Sequence, residues 1–182
     1  MASRLDPESI GPLIEPQVKV MRIIHASLVA GVAAYLLFAW WQRGDAGAGQ
    51  AGGTMVLITL VFALTAVVAS FLVPTHILRT SIRQLARGGP IGTTITVPDD
   101  PVVSQIIALM GSRQTSWLCG LAILDMAAFY TSFVTTAPWA PNWFVAVPVG
   151  LILLMVVRFP IGSALAEWVA TTIEDIDAGV FG

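Results

Sequence analysis

The sequence contains one cysteine, Cys119, and only 11% of its residues are charged. A single cysteine rules out an intramolecular disulfide and a metal site built from several thiolates. Ordinary soluble domains carry about 25% charged residues, so this chain does not belong to that class. The net charge is −2 and there is no run of Lys and Arg with interleaved aromatic residues. Nucleic acid is therefore not expected as a partner.

The chain has instead four long apolar runs. Hydrophobic residues make up 56% of the 182 residues, and the mean hydropathy is +0.82. A helix needs about 20 apolar residues to cross roughly 30 Å of hydrocarbon. We therefore predict an all-α membrane four-helix bundle in a lipid bilayer. The predicted spans cover about residues 23–41, 55–73, 117–137 and 144–160.

Basic residues are distributed unevenly around these spans. If each run crosses once, eight of the nine Lys and Arg residues lie on one side, and only Arg43 lies opposite. Lys and Arg in short flanking loops resist translocation, so both termini are predicted to be cytoplasmic. The eight arginines against one lysine suggest a GC-rich bacterial genome, so the expected location is a bacterial inner membrane. Arg158, inside the fourth run, is expected to extend its long side chain to the interface. The residues on the basic side are Arg4, Lys19, Arg22, Arg79, Arg83, Arg87, Arg113 and Arg158.

The segments at the two ends are more polar than the membrane domain predicted for residues 17–173. Residues 1–16 contain three prolines and three acids, which predicts an irregular cytoplasmic lead-in. This polar segment precedes a first run that is long for a signal peptide, so the run is expected to be retained as an anchor. Residues 174–182 are predicted to form an acidic, solvated tail.

The cytoplasmic loop of residues 75–116 is predicted to contain helical extensions of spans two and three. Apolar residues share one face after Pro74, and arginines share another at spacings of four, so the second helix is expected to bend at the proline without ending. Asp99 or Asp100 is the predicted N-cap of the third helix, because Pro101 suits a first helical position.

The two halves of the chain repeat one order of features. Each has a basic residue, a span, an external turn, a second span and a proline, which is Pro74 in the first half and Pro160 in the second. The order indicates a candidate duplication of an antiparallel hairpin, related by an axis along the membrane normal. Residue identity between the halves is low.

Asp125 is the only acid inside a predicted span. It lies about eight residues into span three, roughly 12 Å deep by helical rise. A carboxylate at that depth costs about 2.5 to 3.5 kcal/mol on insertion scales. Two interpretations stay open: a group that exchanges a proton or cation, or a neutral carboxyl that donates a hydrogen bond to a neighbouring helix. Thr65 and Tyr35 lie at suitable depths for such a bond.

Two histidines, His25 and His76, lie near the predicted cytoplasmic boundary of spans one and two. Such a pair can ligate a haem between helices, but a Cys-x-x-Cys-His attachment motif is missing. The alternative is that both hydrogen-bond to water or lipid headgroups.

The sequence also lacks a nucleophile–base set, a phosphate loop, a dinucleotide fingerprint and a zinc signature, so we predict no enzyme, cofactor or metal.

Small residues line one side of span one. Ala26, Ala30 and Ala34 recur at intervals of four, with Gly31 beside them. Small residues at this spacing let helix backbones approach closely in lipid, so they predict a helix-packing seam. Its partner is either another span of the chain or a second copy. The partners expected of the chain as a whole are the lipid bilayer and either further copies in a homo-oligomer or another protein of a membrane complex.

The segment RIIHASLVAGV at residues 22–32 resembles the first helix of an uncharacterised family of small bacterial four-span membrane proteins. Arg113 followed by LAILDMAAF at residues 121–129, and Phe159-Pro160, agree with the third and fourth spans of that family. The family is expected to carry glutamate where this chain has Asp125. The resemblance implies a four-span fold and no established activity.

The paired hairpins with one intramembrane acid are also distantly similar to the proton-carrying c subunits of rotary ATPases. This chain lacks the glycine-rich helix of those subunits, and Asp125 lies in the first helix of its hairpin, where they use the second. The sequence therefore favours a non-catalytic structural or accessory membrane component. The alternatives are a proton or cation conduit using Asp125 and a haem-binding anchor.

Overall fold

The computed structural model describes residues 6–42, 52–87 and 100–181, and within them the chain is all-helical, as predicted. Arg4, Arg43 and the alternative N-cap Asp99 lie outside these ranges. The helices are α1 (Pro7–Gln42), α2 (Gly53–Ala86), α3 (Pro101–Val134), a short 3-10 helix (Asn142–Val145), α4 (Ala146–Val157) and α5 (Gly162–Asp177).

The helices are divided between two compact units. The first unit takes its described residues from Met1–Ile23, Pro74–Leu118 and Pro160–Gly182, and the second from Ile24–Val73 and Cys119–Phe159. The long helices α1, α2 and α3 each contribute one end to each unit. Helix α4 belongs to the second unit and α5 to the first.

Three described helices, α1, α2 and α3, are long and apolar enough to cross a membrane. A fourth crossing exists only if α4 and α5 count as one span, since the chain bends by 63° between them. Helix α4 has 12 residues, or about 18 Å by helical rise. The predicted span of residues 144–160 is therefore wrong as one helix, because Pro160 disfavours a helical conformation at Phe159 and the helix ends first.

Helix α1 begins at Pro7, so the irregular lead-in predicted over residues 1–16 is wrong from Pro7 onward. Asp6 caps the helix by accepting a hydrogen bond from the Glu8 amide at 3.0 Å. Pro12 and Pro16 lie inside the helix, and each removes one backbone hydrogen bond. Apolar burial outweighs that loss, at about 1.5 to 3 kcal/mol for each large side chain. The buried residues at helical spacing are Ile10, Ile14, Val18 and Met21, none more than 4% exposed.

The helical extensions predicted in the loop of residues 75–116 are confirmed. Helix α2 continues through Pro74 to Ala86. Helix α3 begins at Pro101, and Asp100 is its N-cap: Oδ1 accepts from the amides of Val102 at 2.9 Å and Val103 at 3.5 Å. These extensions complete the core of the first unit, which includes Leu78, Ile82, Ile106, Leu109, Met110, Leu165, Val169 and Ile173.

The segment predicted to be a solvated acidic tail, residues 174–182, is structured in its described part. Helix α5 ends at Asp177, and Gly179 then adopts φ +74°, a conformation that glycine accepts without steric cost. The amides of Gly179 and Val180 bond the carbonyls of Ile176 and Asp175, both at 3.0 Å, which forms a Schellman motif. Ile176 and Phe181 pack against the first unit's core, so this segment is more than a solubilising end.

The second unit buries one face of each helix and leaves large apolar residues on the other. Helix α3 is deeply buried at Leu121, Leu124, Ala127 and Ala128, each at most 1% exposed. Val56, Val134 and Phe144 form a separate apolar cluster near the turn between α3 and α4. The outward residues include Leu37, Leu64 and Met126, which are 71%, 66% and 69% exposed.

The candidate duplicated hairpins differ at their prolines. Helix α2 runs unbroken through Pro74, whereas α4 ends before Pro160 and a new helix starts at Gly162. The repeated order of features therefore does not produce the same local backbone in both halves.

Candidate functional site

Asp125 lies on α3 in the second unit, one helical turn before Phe129. The Phe129 ring packs against Tyr35 of α1, with ring centroids 5.2 Å apart. The carboxyl oxygen Oδ1 of Asp125 is buried and has no hydrogen-bond partner among the described residues. A buried polar atom in that state costs about 1 to 3 kcal/mol. The position therefore carries an energetic penalty that the described contacts do not offset.

The two predicted partners of Asp125 make other contacts. The Thr65 hydroxyl donates to the carbonyl of Val61 in its own helix at 2.8 Å. The Tyr35 ring contacts Phe129. The hydrogen bond expected from the Asp125 carboxyl to one of these side chains is absent at Oδ1.

Ser132 is a polar residue that sequence analysis missed. It lies two helical turns after Asp125 on α3, is fully buried, and has an Oγ atom without a hydrogen-bond partner in the described ranges. The neighbouring Thr131 and Thr135 are equally buried, but their hydroxyls bond carbonyls of α3 at 2.8 and 2.6 Å. Residues seven apart share a helix face, so this spacing from Asp125 is the sequence signal that identifies Ser132.

Arg158 binds the backbone of α2 within the second unit. Its Nη1 donates to the Ser70 carbonyl oxygen at 3.0 Å, and its guanidinium carbon lies 3.9 Å from the ring centroid of Phe71. The sequence predicts that this side chain extends to the membrane interface. The carbonyl of Ser70, four residues before Pro74, is an acceptor that lacks its helical donor, because proline has no N–H.

Arg22 contacts the start of α5 within the first unit. Its Nε donates to the carbonyl of Pro160 at 3.3 Å, and its Nη2 lies 3.7 Å from the position that a Cβ on Gly162 would occupy. Arg22 therefore holds the backbone at Pro160, two residues before α5 begins.

A groove of about 460 Å³ lies beside Arg22, between α1 and α5 of the first unit. Gly11, Gly162 and Ala166 contribute small residues to its lining. Its polar lining consists of Glu8, Glu15, Arg22 and Ser163. The groove therefore carries a cationic group at one end of its α1 wall and two carboxylates further along it.

The two histidines have different environments and belong to different units. His25 is 3% exposed, and its ring meets Phe159 edge-on with centroids 5.3 Å apart. His76 is exposed on α2. These environments do not test paired haem ligation, which stays a prediction.

The small residues Ala26, Ala30, Gly31 and Ala34 are all exposed on α1. A Cβ added at Gly31 would meet nothing within 4 Å. The buried face of α1 in the second unit instead consists of His25, Val32, Leu36 and Ala39. Of the partners predicted for this seam, a second copy stays open.

Each unit thus has its own candidate site: the pair of unpartnered oxygens on α3 in the second unit, and the groove beside Arg22 in the first. Comparison of the sequence and fold with protein families, with curated proteins and with solved structures finds no match.

Proposed function

We propose that this chain is a four-pass protein of a bacterial inner membrane, with both termini in the cytoplasm, that serves as a structural or accessory component without catalysis. The observation that carries the proposal is the apolar outer surface of the second unit. Leu37, Leu64 and Met126, one on each of the three long helices, are at least 66% exposed. A surface of this kind needs a lipid environment, because soluble monomers rarely expose large contiguous apolar patches.

The distribution of charge supports the proposed orientation. Among the described basic residues, only Arg158 belongs to the second unit; the others belong to the first. Arg79 and Arg83 are exposed on the α2 extension. Retention of basic segments in the cytoplasm would leave the first unit on that side.

Labelling of single cysteines tests this topology. In a Cys119→Ser background, Glu8→Cys, Asp177→Cys and Asn142→Cys introduce thiols at three exposed positions. In intact spheroplasts, a membrane-impermeant maleimide is expected to label only Asn142→Cys, and the other two only after permeabilisation. Labelling of Glu8→Cys and Asp177→Cys from opposite sides, or recovery of the chain without detergent, would contradict the proposal.

A proton or cation conduit is the second candidate function. The observation that favours it is the pair of unpartnered oxygens, Asp125 Oδ1 and Ser132 Oγ, on one face of α3. A carboxyl without a fixed partner is able to exchange its proton with water or, once ionised, to bind a mobile cation. A nearby hydroxyl is able to hydrogen-bond that water or to coordinate that cation.

Flux through the purified protein in sealed vesicles separates the two functions. An accessory component gives no proton, sodium or potassium flux above that of empty vesicles. A conduit gives flux that Asp125→Asn abolishes, while Thr171→Ala, an exposed hydroxyl of α5, leaves it unchanged. Flux that persists in Asp125→Asn eliminates this carboxyl as the carrier.

A further inference from the structure

We propose that the groove between α1 and α5 binds the headgroup of a zwitterionic aminophospholipid, with its phosphate at Arg22 and its primary ammonium at Glu15. This inference rests on the proposed membrane function, since Arg22 directly precedes the first apolar run and so would lie at the level of the lipid phosphates. It adds a ligand of defined chemistry and a binding site to that function.

Arg22 and Ser163 form the phosphate end of the groove. The bond from Nε to the Pro160 carbonyl, at 3.3 Å, holds the guanidinium in place beside the start of α5. The planar guanidinium carries several N–H donors in a fixed fork, a geometry that matches phosphate oxygens. The Ser163 side chain lines the same groove and adds a hydroxyl donor.

Glu15 forms the ammonium end. Glu15 precedes Arg22 by two helical turns, about 10 Å along the axis, in the direction away from the apolar run. In an aminophospholipid the ammonium likewise follows the phosphate outward from the acyl chains. A primary ammonium donates charge-assisted hydrogen bonds to carboxylates. A quaternary ammonium has no N–H to donate, and a glycerol headgroup has no cation to offer.

The groove leaves room for a ligand beside Glu15, where Gly11 lies one helical turn away. A Cβ added at Gly11 would meet nothing within 4 Å, so the groove is open at this point of α1. The volume of about 460 Å³ lies in the range of roughly 300 to 1,000 Å³ that small-molecule sites occupy. A headgroup therefore fits without displacing the core residues below it.

Native mass spectrometry of the full-length protein tests the proposal. The detergent-solubilised protein is mixed with equal amounts of phosphatidylethanolamine, phosphatidylglycerol and phosphatidylcholine of identical acyl chains. Phosphatidylethanolamine is expected to be retained in preference to the other two. Loss of one charge-assisted hydrogen bond in Glu15→Gln should lower that preference by about tenfold, and Arg22→Gln should weaken retention of all three phospholipids.

Three further variants keep the result interpretable. Glu167→Gln and Lys19→Gln remove exposed charges from the same two helices outside the groove lining and should behave as the wild type. Gly11→Leu fills the open groove and should reduce retention without unfolding α1. Because Arg22 also bonds the Pro160 carbonyl, the Glu15 and Gly11 variants decide the outcome if Arg22→Gln fails to fold.

An unchanged preference in Glu15→Gln, or an equal loss in Glu167→Gln, would overturn the inference. Binding of soluble phosphoethanolamine with no retained lipid would also overturn it, because the ligand of the groove would then be a soluble phosphate ester and not a lipid headgroup. Membrane integration is measured separately by carbonate extraction. A chain that integrates but retains no headgroup selectively overturns this inference alone, whereas a chain that fails to integrate overturns the proposed function.

Discussion

Arg158 donates a hydrogen bond to the Ser70 carbonyl oxygen at 3.0 Å, and that carbonyl is the acceptor that Pro74 deprives of its helical donor. A proline inside a helix removes one backbone bond and crowds the preceding turn, at a cost of about 3 kcal/mol or more. The guanidinium supplies the missing donor from the residue that follows α4, and it also lies over Phe71. This side chain–backbone bond is one reason why α2 continues through Pro74 to Ala86.

Replacement of Arg158 by methionine is therefore expected to lower the free energy of unfolding by about 1 to 3 kcal/mol, because Ser70 is left with a buried, unpaired carbonyl. In a Pro74→Ala background the restored amide can bond that carbonyl, so the loss should be smaller. Equilibrium unfolding in detergent, followed by tryptophan fluorescence, measures the effect of Arg158→Met on the free energy of unfolding in each background. Arg79→Met, at an exposed position of α2, is the control and should change the free energy of unfolding by at most about 0.5 kcal/mol. Equal losses in the two backgrounds would contradict the assignment.

Replacement of Asp125 by leucine is expected to leave the stability of the second unit unchanged or to raise it. The reason is that Oδ1 is buried without a partner, and an unsatisfied polar atom costs about 1 to 3 kcal/mol that an apolar side chain avoids. Ser132→Ala should behave in the same way, since it removes a second unpartnered oxygen. The same unfolding assay measures both variants. A loss of more than about 2 kcal/mol in Asp125→Leu would show that the carboxyl makes a stabilising contact.

The sequence predicts the helices well where the signal is local. Apolar periodicity and the Asp100-Pro101 pair are sufficient to place the α2 extension and the start of α3, because capping and amphipathic burial act within a few residues. The irregular lead-in is wrong because the burial of Ile10 and Ile14, which depends on the rest of the fold, outweighs the local helix-breaking signal of Pro12 and Pro16.

The contacts of the candidate site are less predictable from sequence. The bond from Arg158 to Ser70 joins residues 88 positions apart, and no local pattern indicates that the two meet. From the sequence, an arginine near the end of a predicted span is equally consistent with a side chain that extends to the membrane interface. Ser132 is the exception, since its spacing from Asp125 is a helical signal within one segment.

The exposed small residues on α1 lead to a prediction about the effect of a larger side chain on stability and on dimer formation. Ala30→Leu is expected to leave the stability of the isolated chain unchanged, because Ala30 is exposed. Ala39→Leu is the matched control on the same helix, and its site is 1% exposed. Overpacking there should lower the free energy of unfolding by about 1 to 3 kcal/mol. If the wild type is a dimer in analytical ultracentrifugation and Ala30→Leu is a monomer, a second copy is the partner of the seam. A dimer that persists in Ala30→Leu would contradict this assignment.

The turn after α5 gives a prediction about the first unit. Gly179 has φ +74°, a conformation that costs an L-residue about 1 to 2 kcal/mol. Gly179→Ala is expected to destabilise the chain by that amount and to loosen the Schellman motif that brings Phe181 against the core. Gly150→Ala, in α4 where a Cβ meets nothing within 4 Å, is the matched control. There the same substitution removes a helix-interior glycine, so it should stabilise the chain by about 0.5 to 1 kcal/mol. Thermal unfolding of both variants gives the sign of each change. Equal effects at the two sites would mean that the left-handed conformation at Gly179 does not decide how the segment ends.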